Sequence, residues 1–187
     1  MTPKKIAVLG GGNGAHTMAA ELTLKGHTVN MFEVPEWKHN MQKVFDTKTI
    51  TVKGELNGTA KLNMVTDNIA EAVEGCKYIC IVAPAFAHSG YAKLLKGLLN
   101  KDQIVVTYPG AFSALVLREA FGDDENCPVF ADANNLPYDA RLTAPGSGVV
   151  NLFGRNPINI AFLPAEKGPE LIDEMREDLF PFEKIYT

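Results

Sequence analysis

The sequence of 187 residues is poor in cysteine, has no long apolar run and nowhere concentrates charge of one sign. Its three cysteines, Cys76, Cys80 and Cys127, are odd in number and form no C-x-x-C pair. A disulfide framework and a thiolate zinc site are therefore excluded, and Cys76 and Cys80 are expected as reduced residues in or beside a sheet. The apolar run Ile6 to Leu9 is too short for a signal-peptide core or a membrane span, and glycine breaks it at once. No membrane partner is expected, and the cytoplasm is the expected location. The formal net charge is −4 and the basic residues are scattered, so no nucleic-acid partner is expected either. The four histidines, His16, His27, His39 and His88, lack H-E-x-x-H or comparable spacing, and no metal site is expected. Internal repeats, low-complexity segments and long linkers are also missing, which leaves one domain as the expectation for a chain of this length.

What is present begins with Lys5-Ile6-Ala7-Val8-Leu9-Gly10-Gly11-Gly12-Asn13-Gly14-Ala15-His16, where a strand-like run opens into a glycine-rich turn and then a helical pattern. Gly10-x-Gly12-x-x-Ala15 fits the G-x-G-x-x-G/A fingerprint of dinucleotide binding. Gly10 would permit the tight turn, Gly12 would let the backbone approach a pyrophosphate, and Ala15 would keep the helix close to the strand. Asn13 and Gly14 would offer backbone N–H groups to the anion at the helix start. Ala15, Met18, Ala19 and Leu22 form the apolar stripe of a helix packed on a sheet, and Gly26 ends it. Thr28 to Glu33 then reads as a second strand. Glu33 follows Gly10 at about the 20-residue separation at which an acid bonds the adenosine ribose hydroxyls. Its charge would repel a 2′-phosphate, so NAD is preferred to NADP, although Lys38 and His39 just beyond could offset this.

The remaining pattern alternates strand and helix. Pro35 to Phe45 reads as a helix, and Thr49–Val52 with Ala60–Val65 as a hairpin. Asp67 is expected to cap a helix over 68–73, which feeds the doubly buried strand 78–83. A helix over 90–99, a strand over 103–107, a helix over 112–121 and a strand over 129–131 follow. Residues 134–138 and 144–148 look loop-forming, 149–153 and 158–163 look like strands that could extend the sheet, and a last helix follows Gly168-Pro169. The stretch Phe180 to Thr187 shows no further body of helices or strands. The order predicts an α/β fold: a doubly wound, Rossmann-type, mainly parallel sheet with helices on both faces.

Three further blocks follow central strands: Val82-Ala83-Pro84-Ala85-Phe86-Ala87-His88, Thr107-Tyr108-Pro109-Gly110, and Asn135-Leu136-Pro137-Tyr138-x-x-Arg141-x-x-x-Pro145-Gly146. With the N-terminal fingerprint they resemble the nucleotide-binding domain of the octopine/nopaline (opine) dehydrogenase family, over nearly the whole chain. The resemblance implies an oxidoreductase that joins the amine of an amino acid to the carbonyl of a 2-oxo acid such as pyruvate and reduces the imine with a nicotinamide hydride. It also implies that the catalytic histidine and its carboxylate partner lie in a helical substrate domain following the nucleotide-binding domain, and residues 1–187 match only the latter. The chain alone is then expected to be inactive. The architecture is similar to that of ketopantoate reductases and glycerol-3-phosphate dehydrogenases, and a non-catalytic NAD(H)-sensing module is the competing reading.

Loops at the carboxyl ends of parallel strands are where open α/β sheets bind ligands. Ala83, Pro84, Pro109 and Gly110 are thus expected along the cofactor, and Asn134, Asn135 and Tyr138 near substrate. Arg141 would either line the same cleft or pair with a surface acid. His88 invites an acid–base role, but its place beside a helix start favours a structural one; His16 is read in the same way.

Overall fold

A computed structural model describes residues 2–122, 125–181 and 184–186. The apolar run at the start forms β1 (Lys5–Leu9), and the glycine turn leads into α1 (Asn13–Leu24) and β2 (Thr28–Phe32). The segment Pro35–Met41 is a 3-10 turn rather than the start of a long helix, and only Gln42–Thr47, α2, is α-helical. Then come β3 (Thr49–Gly54), β4 (Gly58–Lys61), β5 (Met64–Thr66), α3 (Ile69–Val73) and β6 (Tyr78–Ile81). The second half holds α4 (His88–Leu95), β7 (Ile104–Thr107), α5 (Ser113–Phe121), β8 (Val129–Ala133), β9 (Tyr138–Leu142), β10 (Val149–Arg155), β11 (Asn159–Leu163), α6 (Gly168–Asp178) and β12 (Lys184–Tyr186).

Eight strands form one sheet in the order β12-β11-β8-β7-β6-β1-β2-β5. From β5 to β8 every pairing is parallel, and β11 joins antiparallel to β8. All four residues of β6 and of β7 are buried, as strands covered by helices on both sides must be. One face packs α1 and α6 through Met18, Leu22, Met175 and Leu179; the other packs α3, α4 and α5 through Val73, Tyr91, Leu95 and Leu117. The doubly wound architecture expected from the sequence is present.

A second sheet, in the order β4-β3-β10-β9, was not expected. Of the two strands expected to extend the main sheet, only β11 does so; β10 instead runs parallel to β3 and antiparallel to β9. The single strand expected over 60–65 is divided, with β4 in the small sheet and β5 at the edge of the large one. Tyr138, read as the end of a loop, opens β9, a strand over residues otherwise unassigned from the sequence, and its Tyr138 and Ala140 are buried. The final stretch, expected to hold no further body of helices or strands, contributes β12 to the edge of the large sheet, while Phe182, Glu183 and Thr187 lie outside the described residues.

The small sheet covers the back of α1, which makes contact with β3, β4 and β9. This explains why His16, Thr17 and Glu21, off the apolar stripe, are nonetheless buried. Glu21 is met there by Arg155 of β10, Nη1 lying 2.9 Å from Oε2. Asn68, not Asp67, caps α3, its side chain accepting from the Ala70 N–H at 3.1 Å. No helix among the described residues is long and apolar enough to cross a membrane.

Candidate nucleotide-binding cleft

The carboxyl ends of β1, β2 and β6 open onto a cleft of about 650 Å³. Its floor is the turn Gly10 to Asn13, one wall is Glu33, Val34 and Trp37, and the other is Val82, Ala83, Pro84 and Phe86. These elements meet because β1 sits between β2 and β6, so three successive strand-to-helix loops converge.

The glycines of the turn differ in what they are for. Gly10 has φ +123°, and a Cβ there would stand 2.5 Å from the Val82 carbonyl oxygen. A Cβ on Gly11 would meet the Glu33 carboxylate at 2.6 Å and Met41 at 2.8 Å, and one on Gly14 would meet Leu136 at 2.7 Å. Packing alone therefore accounts for those three. A Cβ on Gly12 would meet nothing within 4 Å, yet Gly12 caps α1 and borders the cleft. No neighbour in the protein requires glycine at this position; a ligand lying against the backbone would.

Glu33 ends β2 with only 7% of its surface exposed. One carboxylate oxygen accepts from the Val34 N–H at 2.9 Å. Burial raises its pKa above the ordinary carboxylate value, while hydrogen bonds from the Val34 and Gly11 backbone act in the opposite direction. A buried acid facing the phosphate turn is placed to accept hydrogen bonds from a ribose.

Of the residues singled out in the sequence, Gly10, Gly12, Asn13, Glu33, Ala83 and Pro84 line the cleft. Gly14 and Ala15 lie behind it in the buried start of α1. Asn13 has an additional task, since its Oδ1 accepts from the Leu142 N–H at 2.9 Å and ties β9 to the helix start. Pro109 and Gly110 do not line the cleft: Pro109 is exposed and Gly110 packs on the Asp132 side chain. The expected substrate group is dispersed. Asn134 and Asn159 exchange hydrogen bonds that fasten β11, Asn135 bonds the N–H of Leu136, and Tyr138 is 3% exposed with its ring 5.7 Å from that of Phe180. Arg141 bonds its neighbour's carbonyl and lies 3.9 Å from Asp139.

His88 is 2% exposed, and its Nε2 contacts the Ala83 carbonyl at 3.1 Å. It braces the loop that carries Ala83 and Pro84 and does not line the cleft. His16 is fully buried, with Nδ1 3.1 Å from the Gly12 carbonyl, and burial lowers its pKa. The neutral ring thus supports the turn from below. Sequence reasoning missed Trp37, Asn40, Phe86, Tyr91, Leu142 and Pro145 as lining residues. The exposed aromatic residues Trp37 and Phe86, 58% and 86% accessible beside a fingerprint, were the available signal for two of them.

The family model for the NAD-dependent glycerol-3-phosphate dehydrogenase N-terminus matches residues 5–112. The chain belongs to that family. It is also 30% identical over 175 residues to an opine dehydrogenase of Arthrobacter sp. (strain 1C), covering 92% of this chain and 48% of that protein. An octopine dehydrogenase of Pecten maximus is 26% identical over 157 residues, 78% of this chain and 39% of that protein. A solved octopine dehydrogenase with NADH and L-arginine superposes with a TM-score of 0.78 at 20% identity, over 97% of this chain and 48% of that one, which supports the fold. This is an NAD(H)-binding domain of the opine dehydrogenase and glycerol-3-phosphate dehydrogenase type. It spans half or less of the length of these relatives.

Proposed function

We propose that these residues form the cofactor-holding half of an opine-dehydrogenase-like oxidoreductase that condenses an amino acid with a 2-oxo acid and reduces the product with NADH. The observation that supports the cofactor assignment is Gly12, which borders the cleft and where a Cβ would meet no atom of the described residues within 4 Å. Gly10, whose N–H is spent on the Phe32 carbonyl, would shape the turn, Gly12 and Asn13 would hold the pyrophosphate with backbone N–H groups, and Glu33 would accept the adenosine ribose hydroxyls. Trp37 and Phe86 would give the adenine apolar walls, and Ala83 and Pro84 would run along the rest of the cofactor. Pro109, Gly110, Asn134, Asn135 and Tyr138 lie outside the lining of this cleft, and a part for them at the nicotinamide or substrate stays a proposal from the sequence. When bound, the nicotinamide supplies hydride.

The opine reading rests on the coverage of the Arthrobacter relative, which spans nearly this whole chain, whereas the glycerol-3-phosphate dehydrogenase of Clostridium acetobutylicum matches 54% of it. A catalytic acid–base group and a closed site are expected from residues beyond these, as the family resemblance implies. The test is calorimetric titration with NADH and NADPH, followed by a panel of amino acids and 2-oxo acids with the full-length protein. NADH binding to this chain and turnover of an amino acid with pyruvate by the full-length protein are expected. Turnover of dihydroxyacetone phosphate or ketopantoate instead would overturn the opine reading.

A further inference from the structure

In this fold a basic residue near the end of the second strand accommodates the 2′-phosphate of NADP, and an acid there selects NAD. The chain carries both kinds of residue, Glu33 at the end of β2 and Lys38 in the turn that follows. Lys38 is not directed to the cleft. Its ammonium lies 2.9 Å from Asp67 Oδ2 and 4.6 Å from the centre of the Phe45 ring. Asp67 follows β5, which pairs with β2 in the register Phe32 with Thr66. Continuing that register sets Asp67 level with Glu33, one strand further from the cleft. Asp67 has no capping duty, since Asn68 caps α3. The two side chains are about two-fifths exposed, and such a surface pair adds little to stability. Its consequence is where a positive charge is kept.

We propose that Asp67 is a specificity-determining residue, holding Lys38 on the β5 side and so denying the 2′-phosphate of NADPH its cationic partner. This rests on the cleft being an NAD(H) site. Glu33 repels the phosphate at the ribose, and the Asp67–Lys38 pair withholds an ammonium that would offset it. The same turn carries two further titratable side chains, Glu36 and His39, the latter beside Trp37 with ring centres 6.0 Å apart.

The test is calorimetry of NADH and NADPH binding to the wild-type chain, Asp67→Asn, Lys38→Met and the double variant. Asp67→Asn should tighten NADPH by about 3- to 10-fold while changing NADH by less than about 2-fold. Lys38→Met should have little effect alone and should abolish the gain in the Asp67→Asn background. No gain in Asp67→Asn, or a gain that persists in the double variant, would overturn the proposal, the latter by showing a field effect that does not pass through Lys38. Failure of the wild-type chain to bind NADH would instead remove the cofactor reading, and this inference with it.

Discussion

Two side chains at the cleft, Glu33 and Trp37, can be tested singly. Glu33 accepts from a backbone N–H and is raised in pKa by burial, so it takes up a proton at a higher pH than an exposed glutamate does. A protonated Glu33 is a poorer acceptor for ribose hydroxyls. Affinity for ADP-ribose should therefore be constant near neutral pH and fall as pH drops through the raised value, whereas Glu33→Gln should be weaker throughout and flat; a flat wild-type profile would contradict the role. Glu33→Ala should also narrow the preference for NADH over NADPH, chiefly by weakening NADH by about 1–3 kcal/mol, read by calorimetry. Trp37, the single tryptophan, stands in the cleft wall, so its emission should fall on titration with NADH and not with NADPH at equal concentration. The glycine turn and Glu33 at the end of the second strand were legible because a glycine pattern and an acid at fixed spacing are local facts. Asn13 was legible only for its backbone, since the partner of its side chain, Leu142, is remote in sequence and belongs to a strand that the sequence pattern did not show.

At the level of elements, the alternation of strands and helices could be read from apolar runs because parallel strands such as β6 are buried on both faces. The small sheet was hidden for the opposite reason. β9 and β10 are short, half-buried and separated from β3 by nearly half of the chain, so nothing in their own residues states which sheet they join. The Leu136-Pro137-Tyr138 block, read as a loop lining the substrate cleft, packs Leu136 on Gly14 and Tyr138 on Phe180. The start of α5 offers a test of how such junctions are secured. Asp132, from β8, accepts hydrogen bonds from the Ser113 hydroxyl and from the Ala114 N–H at 3.1 Å, although Ser113 and Ala114 belong to another element. Asp132→Ala leaves a buried hydroxyl and a helix N–H without their acceptor and should cost about 1–3 kcal/mol in chemical denaturation. An unchanged midpoint would show that the carboxylate is not the cap.

For the whole molecule, the account separates holding a cofactor from using it. The cleft is built from backbone, apolar walls and one buried acid, and both histidines considered for catalysis, His16 and His88, are buried against backbone carbonyls. The chain should accordingly bind NADH yet leave pyruvate and amino acids unreacted, followed by the absorbance of the reduced nicotinamide; turnover that His88→Ala removes would contradict this. The claim on which everything else depends is that the turn after β1 exists to receive a pyrophosphate. Gly12→Val tests it most directly, measured as NADH affinity by calorimetry together with the thermal midpoint, with Gly10→Ala as the comparison. Open space around Gly12 predicts a near wild-type midpoint with NADH binding lost, whereas the crowded, positive-φ Gly10 predicts a lowered midpoint. A folded Gly12→Val protein that binds NADH as the wild type does would contradict the account.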